Sequence, residues 1–170
     1  MTALRIATTW DGAALAPAAC TAVQLSLAGE SVRIDVDAPF AGDPAPAGTG
    51  SVPGLWEHEV VELFVFGHRG RYTEIELGPH GHWLVLRFDG VRRRVDGGHP
   101  IAFDARISVD RWTGSAEIRR DLLPERPVRC NVFRISGRAT ERRYEAAVPV
   151  PGERPDFHRP DVGVPWPFDL

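Results

Sequence analysis

Three glutamates on two neighbouring predicted strands are the residues of this sequence best suited to chemistry. Glu62 lies within Val60–Phe66, and Glu74 and Glu76 lie within Tyr72–Leu77. Alternate side chains of a strand point to opposite faces, so each glutamate projects away from the more apolar row of its strand. Closely placed carboxylates serve glycosidases as an acid and base pair, and they also accept hydrogen bonds from ligand hydroxyl groups.

The apolar rows of these strands predict how the strands pair. One row is Val61, Leu63 and Val65, and the other is Thr73, Ile75 and Leu77. If the two rows meet on the core face, Glu62 lies opposite Glu74 or Glu76 on the other face. Opposed like charges destabilise a sheet, so an arginine, a cation or a ligand with several hydroxyl donors has to compensate. The alternative is an ordinary solvated face with an arginine such as Arg87 nearby.

Two histidine segments approach metal motifs but lack the required ligands. His58-Glu59-Val60-Val61-Glu62 has a glutamate where a zinc-protease helix carries its second histidine, and its Val-Val centre favours a strand. His80-Gly81-His82 lies in a predicted turn without an evident third ligand.

The predicted carboxylate pair does not fit a glycosidase. Opposed carboxylates on neighbouring strands lie side by side, whereas a glycosidase holds its pair roughly 5–9 Å apart across a cleft. The sequence therefore favours binding over catalysis.

Short strands separated by turns have to position these residues. No segment has sustained helical spacing of apolar residues, and one helical turn is predicted near Arg120–Leu123. The strand pattern predicts an all-β sandwich or barrel, formed by a single domain over residues 1–170. Residues 38–54 and 149–170 are rich in proline and are predicted to be irregular. The predicted strands are Ala22–Leu27, Val32–Val36, Val60–Phe66, Tyr72–Leu77, Trp83–Phe88, Ile101–Val109, Ser115–Ile118 and Asn131–Ile135.

The composition is that of a folded chain with little net charge. The hydrophobic fraction of 43% excludes general disorder, and a net charge of −3 gives no indication of a nucleic-acid partner. The chain contains arginine but no lysine, which suggests a GC-rich, bacterial genome. Because codon bias then explains the arginine-rich segment Val91–Val95, this segment is interpreted as a solvated strand end or turn. The alternative is an anion-binding site. No signal peptide or membrane-spanning segment is visible, which predicts a cytoplasmic protein without a membrane partner. The oligomeric state and a disulfide between Cys20 and Cys130 stay open.

Several segments, in chain order, together carry a resemblance to a known family. They are Val32–Asp37, Leu55–Phe64, Tyr72–Trp83, Cys130–Ile135 and Pro155–Gly163. These segments resemble family 9 carbohydrate-binding modules and the wider DOMON-like group. The resemblance implies a two-sheet antiparallel β-sandwich, jelly-roll-like, whose sugar-binding members hold a saccharide end between two aromatic side chains.

The resemblance also implies which residues contact a saccharide or sugar-like ligand. Two are aromatic clamps and the others are polar contacts: Trp56, Phe157, Glu62, Glu74, Asn131 and Arg159. Six residues of straight strand would separate Trp56 from Glu62 by about 20 Å, so Trp56 has to fold back, which Gly54 permits. Alternatively, Trp56 is a core residue that caps the sandwich.

Cofactors and other functions complete the expectations. The family's sugar binders carry structural calcium, for which oxygen ligands are available from Asp11, Asp35, Asp37 and Asp43. Other DOMON-like proteins hold haem, and here only a histidine can ligate it, because Met1 is the sole methionine. The histidines available are His58, His80, His82 and His158. The leading interpretation is a sugar-binding module without catalysis; the alternatives are a small hydrolase or lyase acting through Glu62, and a protein-interaction domain without a small ligand.

Overall fold

Two antiparallel sheets pack face to face in the computed structural model, which describes residues 1–169. Within these residues the first sheet has five strands, in the order β1 (Thr2–Ile6), β3 (Thr21–Ala28), β4 (Ser31–Pro39), β10 (Arg111–Arg119) and β9 (Ala102–Ser108). The second has eight: β2 (Thr8–Thr9), β12 (Arg143–Ala146), β11 (Pro127–Ser136), β5 (Val60–Gly67), β6 (Arg71–Leu77), β7 (Trp83–Asp89) and β8 (Arg94–Gly97), with β13 (Val164–Pro165) paired to β11. The predicted two-sheet β-sandwich is therefore confirmed.

Helical structure is confined to single turns. The described residues contain 3₁₀ turns at Pro17–Ala19, Leu55–Glu57, His68–Gly70, Arg120–Leu122 and Ala139–Glu141, and no α-helix. The fourth of these confirms the helical turn predicted from the sequence. Over residues 1–169, no helix is long and apolar enough to cross a membrane.

All eight predicted strands are present, with ends that differ by a few residues. The strands that the sequence did not predict are β1, β2, β8, β12 and β13, and most of them are two to four residues long. Such short strands offer too few residues for an alternating pattern to be recognised, because tertiary pairing rather than local periodicity defines them. Residues 40–54 form an irregular loop, but Ala38 and Pro39, which the sequence assigned to that loop, are the end of β4 opposite Trp112 and Arg111. The tail gains only the short strand β13.

The pairing of β5 with β6 follows the predicted register. Leu63 lies opposite Ile75 on the core face, and Glu62 lies opposite Glu76 on the other face. Glu74 is opposite Phe64, two residues further along and on the same face as Glu62. The physical reason is burial: a slip of one residue would move every apolar side chain of the row away from the other sheet.

The outer face of the second sheet is also buried, so the interpretation as a solvated face is wrong. A second apolar cluster covers it, and includes Phe64, Phe66, Tyr72, Phe88 and Phe133. Chain from the tail, including Val150 and Phe157, packs over these rings. Arg87 does not compensate the glutamates, because it pairs with Thr73 on the core-facing side and forms a salt bridge with Asp96.

A buried ion network connects the two sheets at one end of the sandwich. The Arg134 guanidinium donates to Glu59 Oε1 at 2.9 Å, to Glu145 Oε2 at 3.1 Å and to the Pro39 carbonyl of β4 at 3.0 Å. Glu59 in turn accepts the backbone N–H of Ala41, at the start of the proline-rich loop. The three side chains are almost fully buried, so the network has no solvent to replace a missing partner.

The two cysteines do not form a disulfide. Cys20 and Cys130 are both buried free thiols, and burial raises the pKa of Cys130 to about 12. A thiol with so high a pKa stays protonated at neutral pH and packs as a small apolar side chain.

Candidate functional site

A cavity of about 500 Å³ opens on the outer face of the second sheet. Its size is within the range of small-molecule sites, and its lining combines aromatic side chains with a few polar groups. The floor is formed by side chains of β5, β6 and β7: Glu62, Phe64, Glu74, Leu86 and Phe88. The walls and mouth are formed by Trp56, Arg92, Arg94, Ile135, Tyr144, Pro155, Phe157 and His158.

Trp56 reaches this cavity because the chain turns back before β5. Gly54 adopts a left-handed conformation with φ of 78°, and the 3₁₀ turn Leu55–Glu57 follows it. Leu55 is fully buried and anchors the turn, whereas Trp56 is 40% exposed. Arg142 donates hydrogen bonds to the carbonyls of Trp56 and Glu57, which hold the turn in place. The predicted fold-back is confirmed, and the alternative of a core tryptophan is wrong.

Phe157 lines the same cavity but has one ring face occupied. Its ring stacks on Phe133 with centroids 3.9 Å apart and planes 6° apart. The ring centroids of Tyr144 and Phe157 are 6.2 Å apart in an edge-to-face arrangement, and Tyr144 contributes a further aromatic surface to the cavity. The site therefore contains an exposed tryptophan and a packed group of rings, rather than two free aromatic faces.

Glu62 and Glu74 of the cavity floor, and Glu76 opposite Glu62, are buried without a salt-bridge partner. Glu62 and Glu76 are opposed across β5 and β6, and their residues are 2% and 0% exposed. Among residues 1–169, no arginine or histidine forms a salt bridge with Glu62, Glu74 or Glu76. Glu74 Oε2 and both carboxyl oxygens of Glu76 are buried without a hydrogen-bond partner there. A buried carboxyl group without a partner favours its protonated form, unless a ligand supplies a positive charge or hydrogen-bond donors.

Burial raises the pKa of all three carboxyl groups. The pKa of Glu74 rises to about 7, although the adjacent Glu76 carboxyl group and the charge of Arg92 oppose the rise. The pKa of Glu62 rises well above its usual range by burial and by the charge of Glu74, against the opposing charge of Arg142. Burial raises the pKa of Glu76 in the same direction, and the charge of Glu62 adds to it. At neutral pH the group is therefore partly protonated and both donates and accepts hydrogen bonds.

His158 is held at the cavity wall by a chain of hydrogen bonds. The Arg92 backbone N–H donates to the Tyr72 hydroxyl at 2.9 Å, and this hydroxyl lies 2.6 Å from His158 Nδ1. Since the hydroxyl already accepts from Arg92, we assign it as the donor to Nδ1, and the neutral imidazole then carries its proton on Nε2. Burial and the charge of Arg92 lower the pKa of His158 to about 4, against the opposing charge of Asp156. His158 is thus a neutral, oriented N–H donor.

We expect His158 to stay neutral, with its proton on Nε2, throughout the range from pH 5 to 8. Its titration midpoint should lie near about 4, because burial disfavours the charged ring. Two-dimensional ¹⁵N–¹H correlation of the imidazole reports both the tautomer and the midpoint. Tyr72→Phe removes the donor to Nδ1 and should yield a mixture of tautomers. A midpoint above pH 6 in the unmodified protein would contradict this assignment.

Two predicted contact residues do not reach the cavity. Asn131 Nδ2 donates to the Val148 carbonyl, and its Oδ1 accepts backbone N–H groups of Val132 and Val148, so the side chain ties β11 to the following segment. Arg159 is bonded to Asp161 and to the Pro151 carbonyl. The structure brings together Trp56, Glu62, Glu74 and Phe157, and leaves Asn131 and Arg159 in structural contacts.

Sequence reasoning missed other residues of the cavity. Arg92 and Arg94 belong to the basic run, which does form a strand end and turn but also lines the mouth. His158 belongs to the closing block of the resemblance and was considered only as a haem ligand. Tyr144 lies on the short strand β12, which has no pattern of its own. Only the basic run carried a usable signal, because the position of His158 depends on how the tail crosses the sheet and that of Tyr144 on the pairing of a short strand with β11.

The residues suggested for metals are separated in the structure. Asp35 pairs with Arg33 and Asp37 pairs with Arg111, while Asp43 accepts the Gly137 N–H and Asp11 accepts the Thr9 hydroxyl. His80 and His82 contact the carbonyls of Asp43 and Gly48, which fixes the proline-rich loop. In the described part of the chain, no group of three or more His, Cys, Asp or Glu side chains is placed to hold a metal ion.

Comparison with known structures shows where the fold occurs. The crystal structure of a candidate carbohydrate-binding protein from Bacteroides uniformis superposes with a TM-score of 0.74, covering 96% of this chain and 84% of that chain. Sequence identity is 14%, so this likeness establishes the fold alone. No family model matches the chain, and the resemblance to family 9 modules has no support from that comparison.

Curated relatives share much more sequence with this chain. The UPF0462 protein C4orf33 homolog of Mus musculus is 36% identical over 97% of this chain and 91% of its own length. UPF0462 protein C4orf33 of Homo sapiens is 35% identical over 91% of this chain and 82% of its own length. The Danio rerio homolog is also 35% identical, over 81% and 75% respectively. These animal relatives do not support the expectation of a bacterial source, and they show that the chain belongs to the UPF0462 family.

Proposed function

We propose that this protein is a non-catalytic binding module whose outer cavity holds a saccharide or sugar-like ligand. The observation that carries the proposal is the cavity of about 500 Å³ between exposed Trp56 and a floor of unpaired carboxyl groups. Sugar rings present apolar C–H faces that pack on aromatic rings, and their hydroxyl groups pair with carboxyl oxygens. The fold neighbour from Bacteroides uniformis, a candidate carbohydrate-binding protein, supports the same ligand class.

The polar groups of the cavity suit a ligand with many hydroxyl groups. Glu62 and Glu74 offer both acceptor oxygens and shared protons, and His158 offers an oriented N–H donor. A polyol ring needs donors and acceptors at several positions, and each unsatisfied hydroxyl would cost binding energy. Cytoplasmic residence stays part of this proposal as an expectation from the sequence.

Trp56→Ala is expected to weaken saccharide binding by about ten- to a hundredfold, because stacking and burial of one aromatic ring contribute that much at a central contact. A panel of neutral, acidic and amino oligosaccharides, screened by glycan array and then by calorimetry, first identifies the ligand. Ile107→Ala is the matched control, because Ile107 is 41% exposed but lies on β9 of the other sheet. The proposal would be contradicted if Trp56→Ala left the affinity unchanged, or if no saccharide of the panel bound to the unmodified protein.

A hydrolase or lyase acting through Glu62 is the second candidate. Glu62 and Glu76 are direct cross-strand partners on one strand pair, whereas a glycosidase places its carboxyl groups on two sides of a cleft. If any glycoside of the same panel were turned over, and Glu62→Gln abolished that turnover, catalysis rather than binding alone would be the function of the cavity. An interaction domain without a small ligand fits less well, because the aromatic cavity is open rather than filled.

A further inference from the structure

We infer that the ligand of the outer cavity carries a free amino group whose ammonium docks on the carboxyl groups of Glu62 and Glu74. This inference rests on the proposed function and specifies its ligand as an amino sugar. It starts from a contrast within the protein. The buried acids Glu59 and Glu145 both pair with Arg134, whereas Glu62 and Glu74 have no salt bridge among residues 1–169. The fold neutralises the acids that it uses for structure and leaves those of the cavity unpaired.

The geometry of the acids matches an ammonium group. Glu62 and Glu74 project from adjacent strands into the cavity, and Glu76 lies behind them, opposite Glu62. Glu74 is 4% exposed, and its Oε2 has no hydrogen-bond partner in the described residues. An ammonium offers three N–H donors and one positive charge, so it satisfies several carboxyl oxygens at once. A hydroxyl supplies one donor and no charge.

The aromatic lining favours the same group. Phe64 is opposite Glu74 in the sheet, and Phe88 and Trp56 line the same cavity. A cation near aromatic ring faces gains electrostatic energy, and the gain grows as water is excluded. The arginines nearby do not fill this role: Arg92 pairs with Asp156 at 2.8 Å, and Arg142 donates to the carbonyls of Trp56 and Glu57. Arg94 also lines the cavity, and in the described residues it forms no salt bridge with Glu62 or Glu74. The acids are thus left for a cation from outside.

Several charged groups surround the docking point and define the expected proton exchange. They are Glu62 on β5, Glu76 on β6, Arg92 and Arg94 at the mouth, His158 on the wall, and Arg142 behind the Trp56 turn. The raised pKa of Glu74 means that this carboxyl holds a proton for part of the time at pH 7. An arriving ammonium favours the charged carboxylate, so binding should release protons to the buffer.

Glucose, glucosamine and N-acetylglucosamine test the inference, because they differ only in the group at one carbon. Calorimetry at pH 7 in two buffers of different ionisation heat measures affinity and proton release together. We expect glucosamine to bind at least about tenfold more tightly than the other two, in line with one added charge-assisted contact, and to be the only one of the three whose binding releases protons. Equal affinities would overturn the amine inference while leaving a saccharide role in place. Absence of saturable binding by all three would overturn it as well, and the wider panel then decides the saccharide role separately.

Glu74→Gln keeps the shape of the side chain and removes its charge. It should reduce the preference for glucosamine over glucose to about threefold or less and remove the proton release. Glu117→Gln, on an exposed position of β10 in the other sheet, is the matched control and should keep both. Circular dichroism verifies folding, and Glu62→Gln provides the same test if the first variant fails to fold. A preference that persists in the folded variants would overturn the inference.

Discussion

Replacing Arg134 by methionine is expected to lower the free energy of unfolding by about 3–5 kcal/mol, the largest effect of any single change considered for this protein. Methionine is flexible and of similar length, so it fills most of the space, but it cannot pair with Glu59 or Glu145. Both carboxylates are nearly fully buried, and removing their shared cation leaves two uncompensated charges in the interior. The cost comes from these stranded charges more than from the loss of the attraction itself.

The same change should also release the proline-rich loop. Arg134 donates to the Pro39 carbonyl, and Glu59 holds the Ala41 N–H, so the network joins the end of β4 to the loop. Urea unfolding followed by fluorescence measures the free energy, and hydrogen exchange at Ala41 reports the loop. Arg33→Met is the control, because the Arg33–Asp35 pair is exposed to solvent and should contribute little to the free energy of unfolding. A loss below about 1 kcal/mol for Arg134→Met would show that the network does not carry this part of the fold.

Glu74→Gln is expected to change how stability depends on pH. Burial raises the pKa of Glu74 from 4.5 to about 7 in the folded state, while the unfolded chain keeps the ordinary value. Between these values the folded protein holds a proton that the unfolded chain releases, so this residue contributes full stability below pH 4.5 and loses it as pH rises to 7. A pKa difference of this size corresponds to about 3 kcal/mol. Glutamine does not titrate, so the variant should gain about 3 kcal/mol relative to the unmodified protein over that range.

His158 acts in the opposite direction, and its contribution must be separated from that of Glu74. Its pKa is lowered from 6.5 to about 4, so its stabilisation is present above pH 6.5 and is lost as pH falls towards 4. The residue is present in both proteins, so its effect cancels when the two unfolding curves are subtracted at each pH. Glu117→Gln, at an exposed position, should leave the difference flat. A flat difference for Glu74→Gln would mean that the folded state does not raise the pKa of Glu74 above its value in the unfolded chain.

Part of the candidate site was predictable from local sequence. The position of Glu62 opposite another carboxylate followed from two apolar rows that must face the core, because a register slip would expose both rows. The fold-back of Trp56 followed from Gly54, which adopts the left-handed conformation that the turn requires. Asn131 and Arg159 were assigned by resemblance, and their side chains instead bind Val148 and Asp161. A polar side chain near a site binds whichever partner the backbone brings closest, which the sequence does not reveal.

Local sequence was sufficient for the all-β class, the eight longer strands and the face from which Glu62 and Glu74 project, because the alternation of apolar residues is encoded along each strand. What covers that face depends on the tertiary structure. The tail brings Phe157 and His158 over β5 and β6, and the rings around Phe64 exclude water from carboxyl groups that would otherwise be solvated. Burial is a property of the surroundings, so the raised pKa of Glu74 and the cavity above it depend on contacts between segments far apart in the chain.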